Sequence, residues 1–256
     1  MWSASRIIAC SPLFAICFAS CGNFRSLQVF VLLIPGPHHQ SKLNLKNRTV
    51  LITGASTGVG RALAFEFYAK GAKVILTARS IDKLRELCNE LEDMDDERAG
   101  KPSPAYVLIN NAGVSNRGSC QQTSINVQRQ VMEVNFFGQA AITKTLLESI
   151  PDDGAIVTVN SLQGRVALPY RSAYSASKHA QQAFFDSLRS EERPQLQVLV
   201  VNAGYINTGF GSRALDIHGR PVGVEDTNQL KGLSAEAAAH KIVCALVNRN
   251  TRFLLC

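Results

Sequence analysis

The sequence predicts an α/β fold built on a doubly wound parallel sheet, and three observations carry that expectation. From residue 49 onward, short β-branched and aliphatic runs alternate with longer stretches of helical periodicity, the pattern of a parallel sheet covered by helices. A glycine-rich turn, Thr53-Gly54-Ala55-Ser56-Thr57-Gly58-Val59-Gly60, joins the first run to the first helical stretch. Further along, Tyr174 and Lys178 stand four residues apart on a helical stretch, with Ser161 thirteen residues upstream of the tyrosine.

The first strand is placed at 49–53, around Val50-Leu51-Ile52, and the helix after the turn shows Val59, Leu63, Ala64 and Phe67 at helical spacing. Val74-Ile75-Leu76 then supplies a second strand at 73–77, completing a βαβ unit. In that context the glycines permit a tight turn and let a pyrophosphate approach backbone N–H groups at the helix N-terminus. Gly54, Ser56, Thr57, Gly58, Val59 and Gly60 are therefore candidate cofactor-binding residues. The second strand ends in Thr77-Ala78-Arg79-Ser80 with no acidic residue. An Asp or Glu there would bind the ribose 2′-hydroxyl of NAD, whereas Arg79 suits the extra phosphate of NADP(H). As a single residue, Arg79 equally reads as a surface arginine opening the next helix. Leu84, Leu87, Cys88 and Leu91 mark that helix, which runs into 92–98 and a Lys101-Pro102-Ser103-Pro104 turn. Strands follow at 106–109, 155–160, 197–202 and 252–255, with helices between them.

Residues at i and i+4 are neighbours on a helix. A lysine held beside a tyrosine favours the phenolate and lowers a pKa otherwise near 10, so Tyr174 becomes a candidate for giving and taking a proton at neutral pH.

Together these residues resemble the short-chain dehydrogenase/reductase superfamily, in the branch with a TGxxxGxG cofactor turn, here Thr53 to Gly60. Asn110-Asn111-Ala112-Gly113 is similar to that family's NNAG element, which places Asn111, Ala112 and Gly113 beside the cofactor. Asn135, in Val134-Asn135-Phe136-Phe137-Gly138, matches an asparagine that helps hold a water next to the catalytic lysine. Ser161, Tyr174 and Lys178 match the catalytic serine and the YxxxK pair. Asn202-Ala203-Gly204-Tyr205-Ile206-Asn207-Thr208 resembles the stretch closing over the nicotinamide, with Ala203 where a proline is usual. There Gly204 lies at the cofactor, and Ile206 and Thr208 contact the carboxamide. Ser161-Leu162-Gln163-Gly164-Arg165 and Tyr174-Ser175-Ala176-Ser177-Lys178-His179-Ala180 look in detail like the membrane-anchored dehydrogenase/reductase member 7 group, especially its 7B type.

The resemblance implies NADPH-dependent, pro-S hydride transfer between a nicotinamide and a lipophilic carbonyl or alcohol. Tyr174 is then the acid in reduction and the base in oxidation, Ser161 orients the carbonyl, Lys178 binds ribose hydroxyls and tunes Tyr174, and Asn135 supports a proton relay. A steroid, a retinoid or acyl-dihydroxyacetone phosphate are lipid-like candidates, the last being associated with the 7B type. Phe210, Leu215, Ile217 and Val222, in the loop after Gly204, read either as a lipophilic substrate wall or as packing against the domain. A homodimer is an assembly the resemblance leaves open.

One departure stands between Arg79 and Asn110. Family members place a helix, a strand and another helix there, and this chain has room for one helix, so a βα unit of roughly 20 residues is missing. The fold expected is thus a Rossmann-like sheet lacking its edge strand in the 3-2-1-4-5-6 order, with the adenine pocket incomplete. A catalytically impaired isoform acting as an interaction module is the alternative function. Because the strand before NNAG lies on the other side of the first strand from the second, a right-handed connection puts the 80–98 helix on the opposite sheet face from the 60–70 helix.

Of the 256 residues, 46% are hydrophobic, enough for one domain with a substantial core. The net charge of +7 could serve nucleic acid, but no long Lys/Arg tract or aromatic RNA-binding motif accompanies it. Seven cysteines form no CxxC pair and no His/Cys spacing for zinc, so neither a disulfide framework nor a metal site is expected. His38-His39 falls in a linker after Pro35-Gly36-Pro37. Residues 7–24 are uncharged and apolar character returns at 27–34, which is just enough to span a bilayer. A cleaved signal peptide ending near Ala19-Ser20 is the rival reading. The expected organisation is a membrane anchor and linker over 1–41 and an NADP-binding domain over 42–256, giving a single-pass endoplasmic reticulum membrane protein of undetermined side. Lys42, Lys46 and Arg48 follow the apolar segment and favour anionic lipid.

Overall fold

The computed structural model describes residues 42–93, 104–191 and 193–255; the proposed anchor and linker over 1–41 lie outside the described residues. Strand β1 (Thr49–Thr53), helix α1 (Gly58–Ala69) and strand β2 (Lys73–Thr77) form the expected βαβ unit. Helix α2 (Ile81–Glu92) and strand β3 (Val107–Asn110) follow. Helix α3 (Ile125–Met132) continues through one π turn (Glu133–Phe137) into α4 (Gly138–Leu146). Strand β4 (Ala155–Ser161), helix α5 (Ser172–Arg189) and strand β5 (Gln197–Ala203) come next. The chain closes with a small pair, β6 (Ile206–Asn207) and β7 (Leu233–Ser234), which flanks the short helix α6 (Thr227–Leu230). Helix α7 (Ala235–Val247) and strand β8 (Arg252–Leu255) end it.

Six strands pair in parallel in the order β2-β1-β3-β4-β5-β8. Every residue of β3, β4 and β5 is buried, as the continuous aliphatic runs of a sheet covered on both faces require. Alternation along the strands divides the core in two. One face sets Val50, Ile52, Val107, Ile109, Val157 and Leu199 against Leu63 and Phe67 of α1 and Ile242 and Leu246 of α7. The other sets Leu108, Ile156, Val198 and Val200 against Phe185 of α5, with Ile142 and Leu146 of α4 beside it. Each fully buried side chain of this size contributes about 1.5–3 kcal/mol relative to exposure.

Among the described residues β2 and β8 are the two edge strands, and β2 is half-buried throughout, in keeping with the missing strand beyond it. The handedness expectation fails. Leu87 and Leu91 of α2 are buried in the same cluster as Leu63 and Phe67, and Arg61 of α1 pairs with Glu90 of α2. Helix α2 therefore shares the face of α1. The β1-to-β2 and β2-to-β3 connections run opposite ways along the sheet on one face, so they have opposite hands. The β5-to-β8 connection through α7 does the same, since α7 lies against α1. Immediate burial of the Leu84, Leu87 and Leu91 stripe on Val74, Leu76 and α1 outweighs the usual preference. Residues 94–103, within the β2-to-β3 connection, lie outside the described residues. Cys88, counted in the apolar stripe, is exposed.

Leu87 is fully buried, so Leu87→Ala should lower stability by about 2–5 kcal/mol in chemical denaturation. A loss below about 0.5 kcal/mol, the range of a surface substitution, would show that α2 does not pack on this face.

Candidate active site

The site begins where β1 and β3 end. Thr53 Oγ1 donates to Ile109 O (3.2 Å) and accepts from the backbone N–H groups of Asn111 (3.0 Å) and Ala112 (3.1 Å). Asn111 Nδ2 returns bonds to Thr53 O (3.0 Å) and Gly54 O (3.1 Å). Gly54 has φ +66° there, and a Cβ on it would stand 2.8 Å from Ala112 Cα. A Cβ on Gly60 would stand 2.3 Å from Gly54 O. Only glycine fits either position. Thr57, at the N-cap of α1, makes no side-chain cap bond, and the first turn holds no acidic residue. The leading N–H groups of α1 thus face outward with their partial positive charge, a seat that fits the pyrophosphate of a dinucleotide.

A cleft of about 710 Å³ opens over this seat at the C-terminal ends of the strands, where open α/β sheets bind ligands. Gly54, Ser56, Thr57, Gly58, Val59, Arg79, Asn111, Ala112, Gly113, Ser161, Tyr174, Lys178, Gly204, Ile206 and Thr208 all line it. Two expected residues do not. Gly60 acts from below, by leaving room for the Gly54 carbonyl. Asn135 is fully buried, with its carboxamide committed to Val114 N (2.8 Å), Val114 O (2.8 Å) and Ser177 Oγ (2.9 Å). It fastens the loop after β3 to α5.

On the far wall Ser161 ends β4, and its Oγ accepts from Gln163 N (3.1 Å). Tyr174 occupies the first turn of α5, with its backbone N–H bonded to Asn116 Oδ1 (2.9 Å). Burial pushes the Tyr174 phenol up from its ordinary pKa, while a hydrogen bond with Ser161 and the charges of Arg117 and Arg171 pull it down. The Lys178 Nζ lies 5.8 Å from the Tyr174 ring centroid and donates to Val159 O (3.0 Å) and Gln181 Oε1 (2.9 Å). Burial lowers its own pKa to about 7.

Sequence reasoning missed the arginines. Arg171 and Arg117 both reach Asp226, at 3.1 and 3.7 Å, leaving two cations on one carboxylate beside the phenol. The three come from separate segments, and no spacing links them. Lys83, in the first turn of α2, lines the cleft with Arg79 and Ser80; its position four residues after Arg79 was the available signal. In the loop after Gly204, Phe210 faces the cleft with its ring centroid 6.1 Å from that of Tyr174, whereas Leu215 is buried against Val127 and Val131. The two readings of that loop therefore divide between residues. Among the described residues no cluster of His, Cys, Asp or Glu could hold a metal.

This fold and site define a nucleotide-dependent oxidoreductase class, and the matches agree. Residues 48–102 and 103–216 match the short chain dehydrogenase family, and the chain belongs to it. It is 38% identical to mouse dehydrogenase/reductase SDR family member 7B over 259 residues, spanning 91% of this chain and 80% of that protein. The Xenopus tropicalis member 7B is 39% identical over 82% of this chain and 78% of its own length. Among solved structures, a Burkholderia phymatum short-chain dehydrogenase/reductase in complex with NAD shares the fold, with a TM-score of 0.72 at 21% identity over 83% of this chain and 90% of that one. A short-chain dehydrogenase from Escherichia coli CFT073, complexed with NADPH, gives 0.69 at 26% identity over 82% and 98%. The chain is thus a short-chain oxidoreductase of the type that uses a nicotinamide cofactor.

Proposed function

We propose that this protein is an NADPH-dependent reductase of a lipophilic carbonyl compound, able to run as a dehydrogenase in reverse. The observation that carries this is the convergence of Ser161, Tyr174 and Lys178 on the same cleft as the α1 N-terminus. When bound, the nicotinamide supplies the hydride. Tyr174 gives its proton to the substrate oxygen in reduction and takes it back in oxidation. Ser161, bonded to that phenol, orients the carbonyl and stabilises the charge developing on its oxygen. Lys178 directs its remaining N–H to the nicotinamide ribose. Asn135, which fastens the loop after β3 to α5, supports the proton relay.

NADP(H) is favoured over NAD(H) by the Arg79 and Lys83 pair at the lip of the cleft, where no carboxylate lines the wall. Leu162, Leu168 and Phe210 line the substrate end and supply its lipophilic character. Phe137, 52% exposed on the π turn beside Phe136, gives an apolar contact for the proposed homodimer, whose mass in solution is the check. Endoplasmic reticulum membrane attachment rests on the apolar residues 7–34; no helix among the described residues is long and apolar enough to cross a membrane. A second reading, a catalytically impaired interaction module, rests on β2 being an edge strand among the described residues.

Tyr174→Phe should cut carbonyl reduction by about 10²–10⁴-fold with NADPH affinity nearly unchanged; equal turnover would remove Tyr174 from the chemistry. Arg79→Asp should weaken NADPH and relatively favour NADH, since a carboxylate repels the 2′-phosphate and bonds a hydroxyl. Unchanged NADPH titrations would leave Arg79 a surface residue. The full chain should stay with membranes after an alkaline carbonate wash, and its release would exclude an anchor.

A further inference from the structure

From Lys178 a run of buried polar groups, Gln181, Gln139 and Thr158, leads away from the cleft, and the mechanism above does not use these three. Lys178, Gln181, Gln139 and Thr158 are each at most 3% exposed. Lys178 Nζ donates to Gln181 Oε1 (2.9 Å), and Gln181 Nε2 donates to Thr158 Oγ1 (2.7 Å) and to Gln139 Oε1. Gln139 Nε2 then donates to Ala112 O (2.6 Å), in the wall of the cofactor cleft. Thr158 Oγ1 faces Gln139 Oε1 at 3.4 Å and closes the ring.

The chain has one direction, fixed at both ends. An ammonium only donates, so it must meet the oxygen of Gln181. That turns the Gln181 amide nitrogen toward Gln139 Oε1 and leaves the Gln139 nitrogen for the Ala112 carbonyl, which only accepts. Neither amide can flip without setting like groups against each other. Val159 O takes a second N–H of Lys178 (3.0 Å), so of its three donors one is left for the cleft.

We propose that Gln181 is a positioning residue for this reaction: braced by Gln139 and Thr158, it holds the Lys178 ammonium with its third N–H toward the cofactor and ties that lysine to the Ala112 wall. The inference deepens the reductase reading and rests on it for its catalytic consequence. A buried ammonium without acceptors sheds its proton, and the Gln181 carbonyl opposes that loss. The titratable group facing Lys178 is Tyr174 on its own helix; β4, α4 and the π turn contribute the neutral Thr158, Gln139 and Asn135, and Arg117 and Arg171 act on Tyr174.

The test uses the full-length chain labelled with ¹³C-lysine, with the Lys178 signal assigned by its loss in Lys178→Arg. In Gln181→Met, similar in size but without an acceptor, the Lys178 titration midpoint should fall by about one pH unit, the scale of a lost hydrogen bond to a charged group. The alkaline limb of the NADPH-dependent reduction profile should move the same way. Thr158→Val, which removes one brace and keeps the Lys178 contact, should give a smaller shift of the same sign, and decides the matter if Gln181→Met does not fold. An unchanged Lys178 midpoint in the folded variants, with only a lower melting temperature, would make Gln181 a packing residue and overturn the proposal. A shifted midpoint in a chain that reduces no carbonyl would uphold the positioning role while the reductase reading fails.

Discussion

The site depends on the close approach of the backbones at the ends of β1 and β3. The Thr53 hydroxyl, the Asn111 carboxamide and the Gly54 carbonyl exchange bonds across that junction, and Gly60 presses against it from the first turn of α1. Each bond adds only about 0.5–1.5 kcal/mol net, but a buried donor left without a partner costs about 1–3 kcal/mol. The junction therefore tolerates little displacement. It aims the N-terminus of α1 into the cleft, sets the 111–113 loop as the opposing wall, and through Asn135 and Gln139 reaches the helix that carries Tyr174 and Lys178.

Burial and charge are balanced across that second wall. Removing water raises the phenol and lowers the ammonium, both toward neutral forms. The hydrogen bond with Ser161, and after it the charges of Arg117 and Arg171, oppose that rise at the phenol. Arg117 and Arg171 share Asp226 from the loop after β5. The same loop brings Phe210 against the Tyr174 ring, so one segment supplies both an apolar wall and a carboxylate close to the phenol.

The sequence disclosed the parts governed by local patterns. Continuous aliphatic runs and a period-3.6 stretch marked β1, β2 and α1, and the turn between β1 and α1 has glycines because the backbone leaves no room for a Cβ. The buried β4 and β5 read directly as aliphatic runs. The side of the sheet taken by α2 did not, because its Leu87 and Leu91 stripe serves either face and the choice is made by Val74, Leu76 and α1. The Tyr174 and Lys178 spacing gave adjacency without direction, and Nζ turns to Val159 O and Gln181. No motif singles out Gln139 and Gln181 in the sequence; the fold brings their amides together in the buried wall. The small β6 and β7 pair was too short for any period to reveal.

Nothing tests the account more directly than titrating the full-length chain with NADPH and with NADH by nicotinamide fluorescence. The proposed NADPH-dependent reading predicts saturable one-site binding of NADPH, tighter than that of NADH and displaced by 2′-phospho-ADP-ribose. A folded chain that binds neither dinucleotide would contradict it and leave the glycine turn, the arginine and the catalytic wall without a shared ligand.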